Sequence, residues 1–379
     1  MNQQSQVKIR SGNQMIAEGA LASGCRFFAG YPITPASGIY KSMIELLPGH
    51  GGVAISSPDE ISALAYCVGA SARGVKSMTA TSGPGWSLMI ETVQYALMTE
   101  LPVVIAFVQR LGPSTGGATQ GAQGDVLFAE FCTSGAYTIP VFAPSTPKEC
   151  FEVTTAAMHW AEELRTPVVV LSDKEIGMMS EDVDFASLKQ SPLNDRKRYT
   201  NGQPESPAYR TYDIAFPEAV PSFSPVGGTY KTTMTGSAHD KQGRLQKNSP
   251  ETIEMLYHLQ KKIDSRAQDM VMVKIDDQTD ADILLISYGI TARTAIDAVR
   301  MGRVQGKKIR MMNVLSLFPI PEKVLQRAAE GVSTVLVAEE NLSGQYRSVI
   351  RHLFTGKEVR GINMIGRMIT PRDILEALP

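Results

Sequence analysis

Residues 102–110 read Pro-Val-Val-Ile-Ala-Phe-Val-Gln-Arg. An apolar run of this length without alternation predicts a strand buried on both faces. Such a strand sits in the middle of a parallel sheet that carries helices on each side. The neighbouring sequence repeats the same logic. Short apolar segments at 26–29, 53–56, 75–81, 139–143 and 167–172 read as strands. Helical patterns at 12–23, 61–73, 86–98 and 147–163 separate them, and Gly24 is the stop of the first helix. Residues 1–185 are therefore expected to form one α/β domain.

Residues 186–270 differ. The stretch 185–250 holds seven of the 22 prolines and lacks periodicity, which predicts an extended linker with one hairpin around 225–236. Low-complexity disorder is the alternative. Against it, Tyr209, Tyr212, Phe216, Phe223 and Tyr230 offer anchors. A charged amphipathic helix is expected over 252–270. Residues 271–379 alternate again, with strands at 282–288, 309–315, 334–338 and 361–366. Helices are expected at 290–301, 321–330, 343–354 and 371–378, and short crossovers predict a second, smaller doubly wound sheet. A total of 379 residues suits this division.

Charge excludes some functions. With 37 basic and 38 acidic side chains and no basic run, the chain has no electrostatic footprint for nucleic acid or for a membrane surface. No segment is apolar enough to span a bilayer, and the N-terminus lacks an apolar signal region, so a cytoplasmic location is expected. Cys25, Cys67, Cys132 and Cys150 are scattered and form no C-x-x-C pair. They read as buried small hydrophobes, and clustered iron–sulfur ligands are absent. No metal site is expected in this chain.

In an open parallel sheet, ligands bind beyond the carboxyl ends of the strands. Four segments follow strands in the first domain. Gly30-Tyr31-Pro32-Ile33-Thr34-Pro35 holds a Thr hydroxyl between two prolines; Thr34 is either a helix cap or a binding group. Ser57-Pro58-Asp59-Glu60 has capping-box spacing, which alone would account for Glu60; otherwise Glu60 is a carboxylate at the sheet mouth. Thr81-Ser-Gly83-Pro-Gly85 offers backbone amides to an anion, or is a plain turn. Gln109-Arg110-Leu-Gly-Pro-Ser-Thr-Gly places a guanidinium at the end of the apolar strand. It can hold a carboxylate, or pair with Asp125 or Glu130. Later, Thr235-Gly-x-x-His239-Asp240 puts a His in an irregular region, where a lone His is most often structural. Glu340-Asn341-x-x-Gly344-Gln345 brings polar groups to another sheet mouth, facing an interface.

Taken in order, these segments resemble the α subunits of 2-oxoacid:ferredoxin oxidoreductases, and within them the 2-oxoglutarate type. The resemblance spans nearly the whole chain and rests chiefly on Tyr-Pro-Ile-Thr-Pro and Arg-x-Gly-Pro-Ser-Thr-Gly. One departure is visible: Gly117-Ala118-Thr119 stands where a Pro-Thr pair is usual. The resemblance implies a transketolase-like fold, with a pyrimidine-binding thiamine diphosphate domain and a transketolase C-terminal-like domain. It implies oxidative decarboxylation of a 2-oxoacid with coenzyme A, electrons passing to ferredoxin. A 2-oxoisovalerate or pyruvate type, or a non-redox two-subunit decarboxylase, is the alternative.

The thiamine diphosphate would be shared. The family's Gly-Asp-Gly magnesium–diphosphate motif is absent here, so a β subunit would hold magnesium and the diphosphate and carry the iron–sulfur cluster. Separate γ and δ subunits can complete such enzymes, as a dimer of heteromers. Carried onto this sequence, Glu60 is the catalytic carboxylate facing the aminopyrimidine, and Pro32, Gly83 and Gly85 line the cofactor. Thr34 and Arg110 bind substrate. His239, with Lys241 and Arg244 beside it, is a candidate for a distal carboxylate.

Overall fold

A computed structural model of the chain describes residues 6–200, 209–276 and 278–379. The expectations for residues 1–5 and for 201–208 in the linker lie outside the described residues. The first unit runs β1 (Val7–Ser11), α1 (Gly12–Ala22), β2 (Phe27–Gly30), α2 (Ser37–Leu46), β3 (Val53–Ser56), α3 (Glu60–Ala72), β4 (Ser77–Thr81), α4 (Gly83–Met98) and β5 (Val103–Gln109). It continues with α5 (Val126–Glu130), β6 (Val141–Phe142), α6 (Pro147–Leu164), β7 (Pro167–Asp173), α7 (Lys174–Met178) and β8 (Ser180–Asp184). Helix α8 (Pro250–Asp264) follows. The second unit is β9 (Val273–Ile275), β10 (Ile283–Ser287), α9 (Gly289–Val304), β11 (Ile309–Val314), β12 (Ser316–Phe318), α10 (Glu322–Ala328), β13 (Thr334–Glu339), α11 (Gln345–Ile350), β14 (Glu358–Asn363) and α12 (Pro371–Ala377).

The apolar run behaves as its composition requires. All of β5 is buried. Val103, Ile105 and Phe107 join a core with α3 and α4, while Val104, Ala106 and Val108 join another with α1 and α6. Alternating side chains of one strand thus serve two layers. The sheet has the order β12-β6-β7-β5-β4-β2-β3. Its strands pair in parallel except for β12, which belongs to the second unit by sequence yet closes this sheet antiparallel to β6. The second sheet, β14-β13-β10-β11-β9, is parallel except for β9. Ile283 and Leu285 pack with α9 and α12, whereas Leu284 and Ile286 pack with α10 and α11, so the unit is doubly wound as expected.

Three expectations need correction. No hairpin forms at 225–236 among the described residues. Its backbone bonds elsewhere: Val226 N–H donates to Ala72 O at 2.9 Å, and Thr233 N–H to the Thr211 hydroxyl at 3.2 Å. Of the aromatic anchors, Tyr212 and Phe223 are fully buried, but Phe216 is 56% exposed. Strand β14 begins three residues before the expected 361. Gly361 is interior to it, where a side chain would collide with Arg347 and Asn363. Among the described residues no helix is long and apolar enough to cross a membrane.

Candidate active site

Strands β3, β2, β4 and β5 are neighbours in that order, and each ends beside one of the four segments. Glu60, Thr34, Gly83 to Gly85 and Arg110 therefore lie along one carboxyl edge. Ser57 N–H donates to Gly30 O at 2.9 Å and ties the Glu60 segment to the Pro32 loop.

Glu60 does not close its own helix. Asp59 is the N-cap and its side chain accepts from Ser62 N–H at 2.7 Å, which leaves Glu60 as the first helical residue. The capping-box account of Glu60 is thereby overturned; one residue of register separates cap from carboxylate. Ser57, the other half of that box, has a buried hydroxyl without a partner. Glu60 is only 6% exposed, and no described residue offers its carboxyl group a hydrogen bond or ion pair. It lies over Gly85: a Cβ there would come within 2.7 Å of Glu60 Oε1 and would also strike the Thr81 hydroxyl. Gly85 is required by this close approach. Gly83 opens α4 after Ser82, whose hydroxyl is also buried without a partner.

Thr34 is not a helix cap either. Helix α2 starts at Ser37, with Ala36 at its cap position. Thr34 and Pro32 are exposed at the mouth. Arg110 is 8% exposed; its Nη1 donates to Thr34 O and its Nη2 to Thr115 O at 3.3 Å, while Nε is buried and unpartnered. The guanidinium thus braces the two loops that flank the mouth. It makes no direct ion pair with Asp125 or Glu130 among the described residues. Its charge still acts on Asp125. Burial pushes the Asp125 carboxyl up to about 7, with Arg110 partly opposing. Glu130, with a buried and unpartnered Oε2, is likewise raised by burial to about 7.

Beside Arg110 a cleft of about 480 Å³ lies between Gly83, Arg110 and Asp125 on one side and Glu340, Asn341 and Gln345 on the other; Glu60, Thr34 and Pro32 do not line it. That is the size of a small-ligand site. The far wall is held by a network that sequence reasoning missed. Gln123 Nε2 donates to Asp173 Oδ2 at 2.9 Å and to Tyr288 O at 3.0 Å, and Gln123 Oε1 accepts from Thr291 Oγ1 and Glu340 N–H, each at 2.9 Å. Asn341 Nδ2 donates to Gln123 O at 3.0 Å, and Gln345 Nε2 to Gly124 O at 2.7 Å. The 340–345 segment does face an interface, with the glycine-rich loop after β5. Asp173, at the end of β7, was detectable as a carboxylate closing a strand; Gln123 carried no signal.

His239 is not brought to this cleft. It is 2% exposed, stacked on Tyr212 at 4.0 Å, with Nε2 lying 3.3 Å from Met98 O. Met98 ends α4 and Gly83 begins it; 16 residues of helix, roughly 24 Å, separate them. Lys241 and Arg244 share the His239 loop.

The residues fit a thiamine ring. A buried carboxyl group without a protein partner, over a glycine that leaves room beside it, suits a nitrogen heterocycle that needs one hydrogen bond. Comparisons agree. Residues 18–258 match the family described as pyruvate flavodoxin/ferredoxin oxidoreductase, thiamine diphosphate-binding, and residues 281–374 match pyruvate:ferredoxin oxidoreductase core domain II. The 2-oxoglutarate synthase subunit KorA of Methanothermobacter marburgensis is 41% identical over 97% of this chain and 97% of its own. A solved 2-oxoglutarate:ferredoxin oxidoreductase from Magnetococcus marinus, with 2-oxoglutarate, coenzyme A and succinyl-CoA bound, superposes with a TM-score of 0.90 at 29% identity. The match covers 98% of this chain and 64% of that one. A split-gene transketolase shares the fold, with a TM-score of 0.55 at 14% identity over 97% of this chain and 94% of that one. The chain therefore belongs to the 2-oxoacid:ferredoxin oxidoreductases, as an α subunit with a transketolase-like fold.

Proposed function

We propose that this chain supplies the proton-handling carboxylate of a thiamine-diphosphate-dependent oxidoreductase that converts 2-oxoglutarate and coenzyme A to succinyl-CoA and carbon dioxide. The two electrons pass singly to ferredoxin. Residues 1–185 act as the pyrimidine domain and 271–379 as the transketolase C-terminal-like domain, with 186–270 joining them. A β subunit grips the diphosphate with magnesium and carries the iron–sulfur cluster. Small γ and δ subunits complete a cytoplasmic dimer of heteromers.

The observation that carries this reading is the unpartnered carboxyl group of Glu60 on the edge that also holds Arg110. Bound thiamine diphosphate supplies the electron sink that protein side chains lack when the C1–C2 bond of a 2-oxoacid breaks. Glu60 would share a hydrogen bond with the N1′ nitrogen of the bound aminopyrimidine. Gly85 lets the carboxyl group sit at the start of α4. Arg110 and Thr34 orient the substrate carboxylate and keto group, and Pro32 and Gly83 border the ring.

The test uses the complex assembled from all its subunits. Glu60→Gln should bind thiamine diphosphate as the parent does and lose at least about a hundredfold in turnover. Full activity in that variant removes Glu60 from the chemistry. Turnover of 2-oxoglutarate against 2-oxoisovalerate and pyruvate decides the substrate; the first should lead by kcat/KM.

A further inference from the structure

Asp125 stands at the N-cap position of α5, yet its side chain caps nothing. Its backbone N–H donates to Gln109 Oε1 at 3.0 Å, and Gln109 Nε2 donates onward to Asp173 Oδ1 at 3.0 Å, so the residue is fixed to the ends of β5 and β7. Its carboxyl group is left over. No described residue gives either oxygen a hydrogen bond or an ion pair, and Oδ2 is sealed from solvent. Both oxygens lie 3.7 Å from where a Cβ on Gly83 would stand, and the residue lines the cleft with Arg110.

The charged groups around it are few. From β5 comes Arg110; across the cleft is Glu340; on its own helix is Glu130. An ionised carboxylate here would lack donors and would repel an incoming 2-oxoacid, which is itself anionic. A neutral carboxyl group would instead offer an O–H to that acid.

We propose that Asp125 is a substrate-positioning residue: carrying a proton, it donates a hydrogen bond to an oxygen of the 2-oxoacid whose charge Arg110 balances, so substrate and one proton bind together. The proposal rests on the function assigned above and names a group that function did not use. The rise of the Asp125 carboxyl to about 7 agrees with it and fixes the pH window. Below that value the proton is already present. Above it, the proton must come from solvent with the substrate.

The experiment is titration calorimetry on the assembled complex in buffers of different ionisation enthalpy. The ligand is 2-hydroxyglutarate, a dicarboxylate without the keto group needed for decarboxylation. Uptake of close to one proton per site is expected at pH 8 and near zero at pH 6, with the dissociation constant rising about tenfold between them. Asp125→Asn keeps a donor but no titration; it should bind with less than about a threefold change across that range and take up no proton. Glu130→Gln should retain the uptake. No uptake by the parent at pH 8 overturns the proposal without any variant, as does unchanged uptake in Asp125→Asn. If that variant fails to assemble, Asp125→Ser replaces it. Turnover of no 2-oxoacid by the parent complex would instead remove the functional assignment, and this proposal with it.

Discussion

Helix α4 has buried carboxyl groups near both ends, and the ends treat them in opposite ways. Past its C-terminus, Glu100 is fully buried; Lys262 Nζ donates to its Oε2 at 2.7 Å, and His258 Nε2 lies 3.1 Å from the same oxygen. Lys262 also donates to Arg165 O at 3.2 Å, and Arg165 Nε to Glu100 O at 3.1 Å. Burial would raise the Glu100 carboxyl, but Lys262 and His258 outweigh it and hold the group well below the usual carboxylate range. Around the N-terminus, Glu60 is buried without such a partner, as are Asp125 Oδ2 and the hydroxyls of Ser57 and Ser82; at the other end Glu100 Oε1 and Arg165 Nη2 are also left over, but the ion pair is made. Leaving polar groups unsatisfied costs stability, and folded chains keep them where a ligand completes them. The paired end ties α8 to the first sheet; the unpaired end leaves polar groups free for a ligand.

Four measurements can break or sharpen that contrast. The largest effect is expected at the unpaired end: Glu60→Gln should cost a hundredfold or more in kcat while thermal stability holds or rises. Its mirror is Glu100→Gln, which strands Lys262 as a buried charge. It should destabilise the chain by about 3–5 kcal/mol, seen as a lower urea midpoint, and leave kcat of the folded complex within about twofold. A stable Glu100→Gln would mean that the two ends do not differ as described. Arg110→Ala should raise KM and lower kcat together, by roughly tenfold or more in kcat/KM; an unchanged ratio removes Arg110 from substrate binding.

The smallest effect concerns pH. Burial lifts the Glu130 carboxyl from its ordinary 4.5 to about 7. The folded chain keeps a proton that the unfolded chain releases above about 4.5, so this contribution is fully present at lower pH and is lost as pH rises through 7. Melting of the purified chain should fall between pH 5 and 8, and Glu130→Gln should flatten that fall. A melting temperature that rises over this range would contradict the sign.

Much of the fold was legible because burial leaves a pattern: β5 on both faces of its sheet, β3 at 53–56 as expected, Gly24 as a stop. Glu60 and Arg110 were singled out by their positions after strands. What escaped depends on contacts between distant segments. Strand β12 is three residues long and pairs with β6 far earlier in the chain. The segment around 225–236 has turn residues suited to a hairpin, yet its amides bond to α3 and to Thr211. His239 carries no mark that tells the two ends of α4 apart. Asp125 was legible only as a salt-bridge partner, and its isolation appears once the loop after β5 is folded.

The strand β12 has a practical consequence. It stitches the second unit into the first sheet, with Leu317 and Phe318 both buried and Ala143 N–H donating to Leu315 O at 2.7 Å. A gene cut near residue 270 would leave the amino-terminal fragment with a bare, two-residue margin and the carboxy-terminal fragment with greasy side chains in water. The two halves of the cleft cannot pivot like jaws on a hinge while this stitch holds.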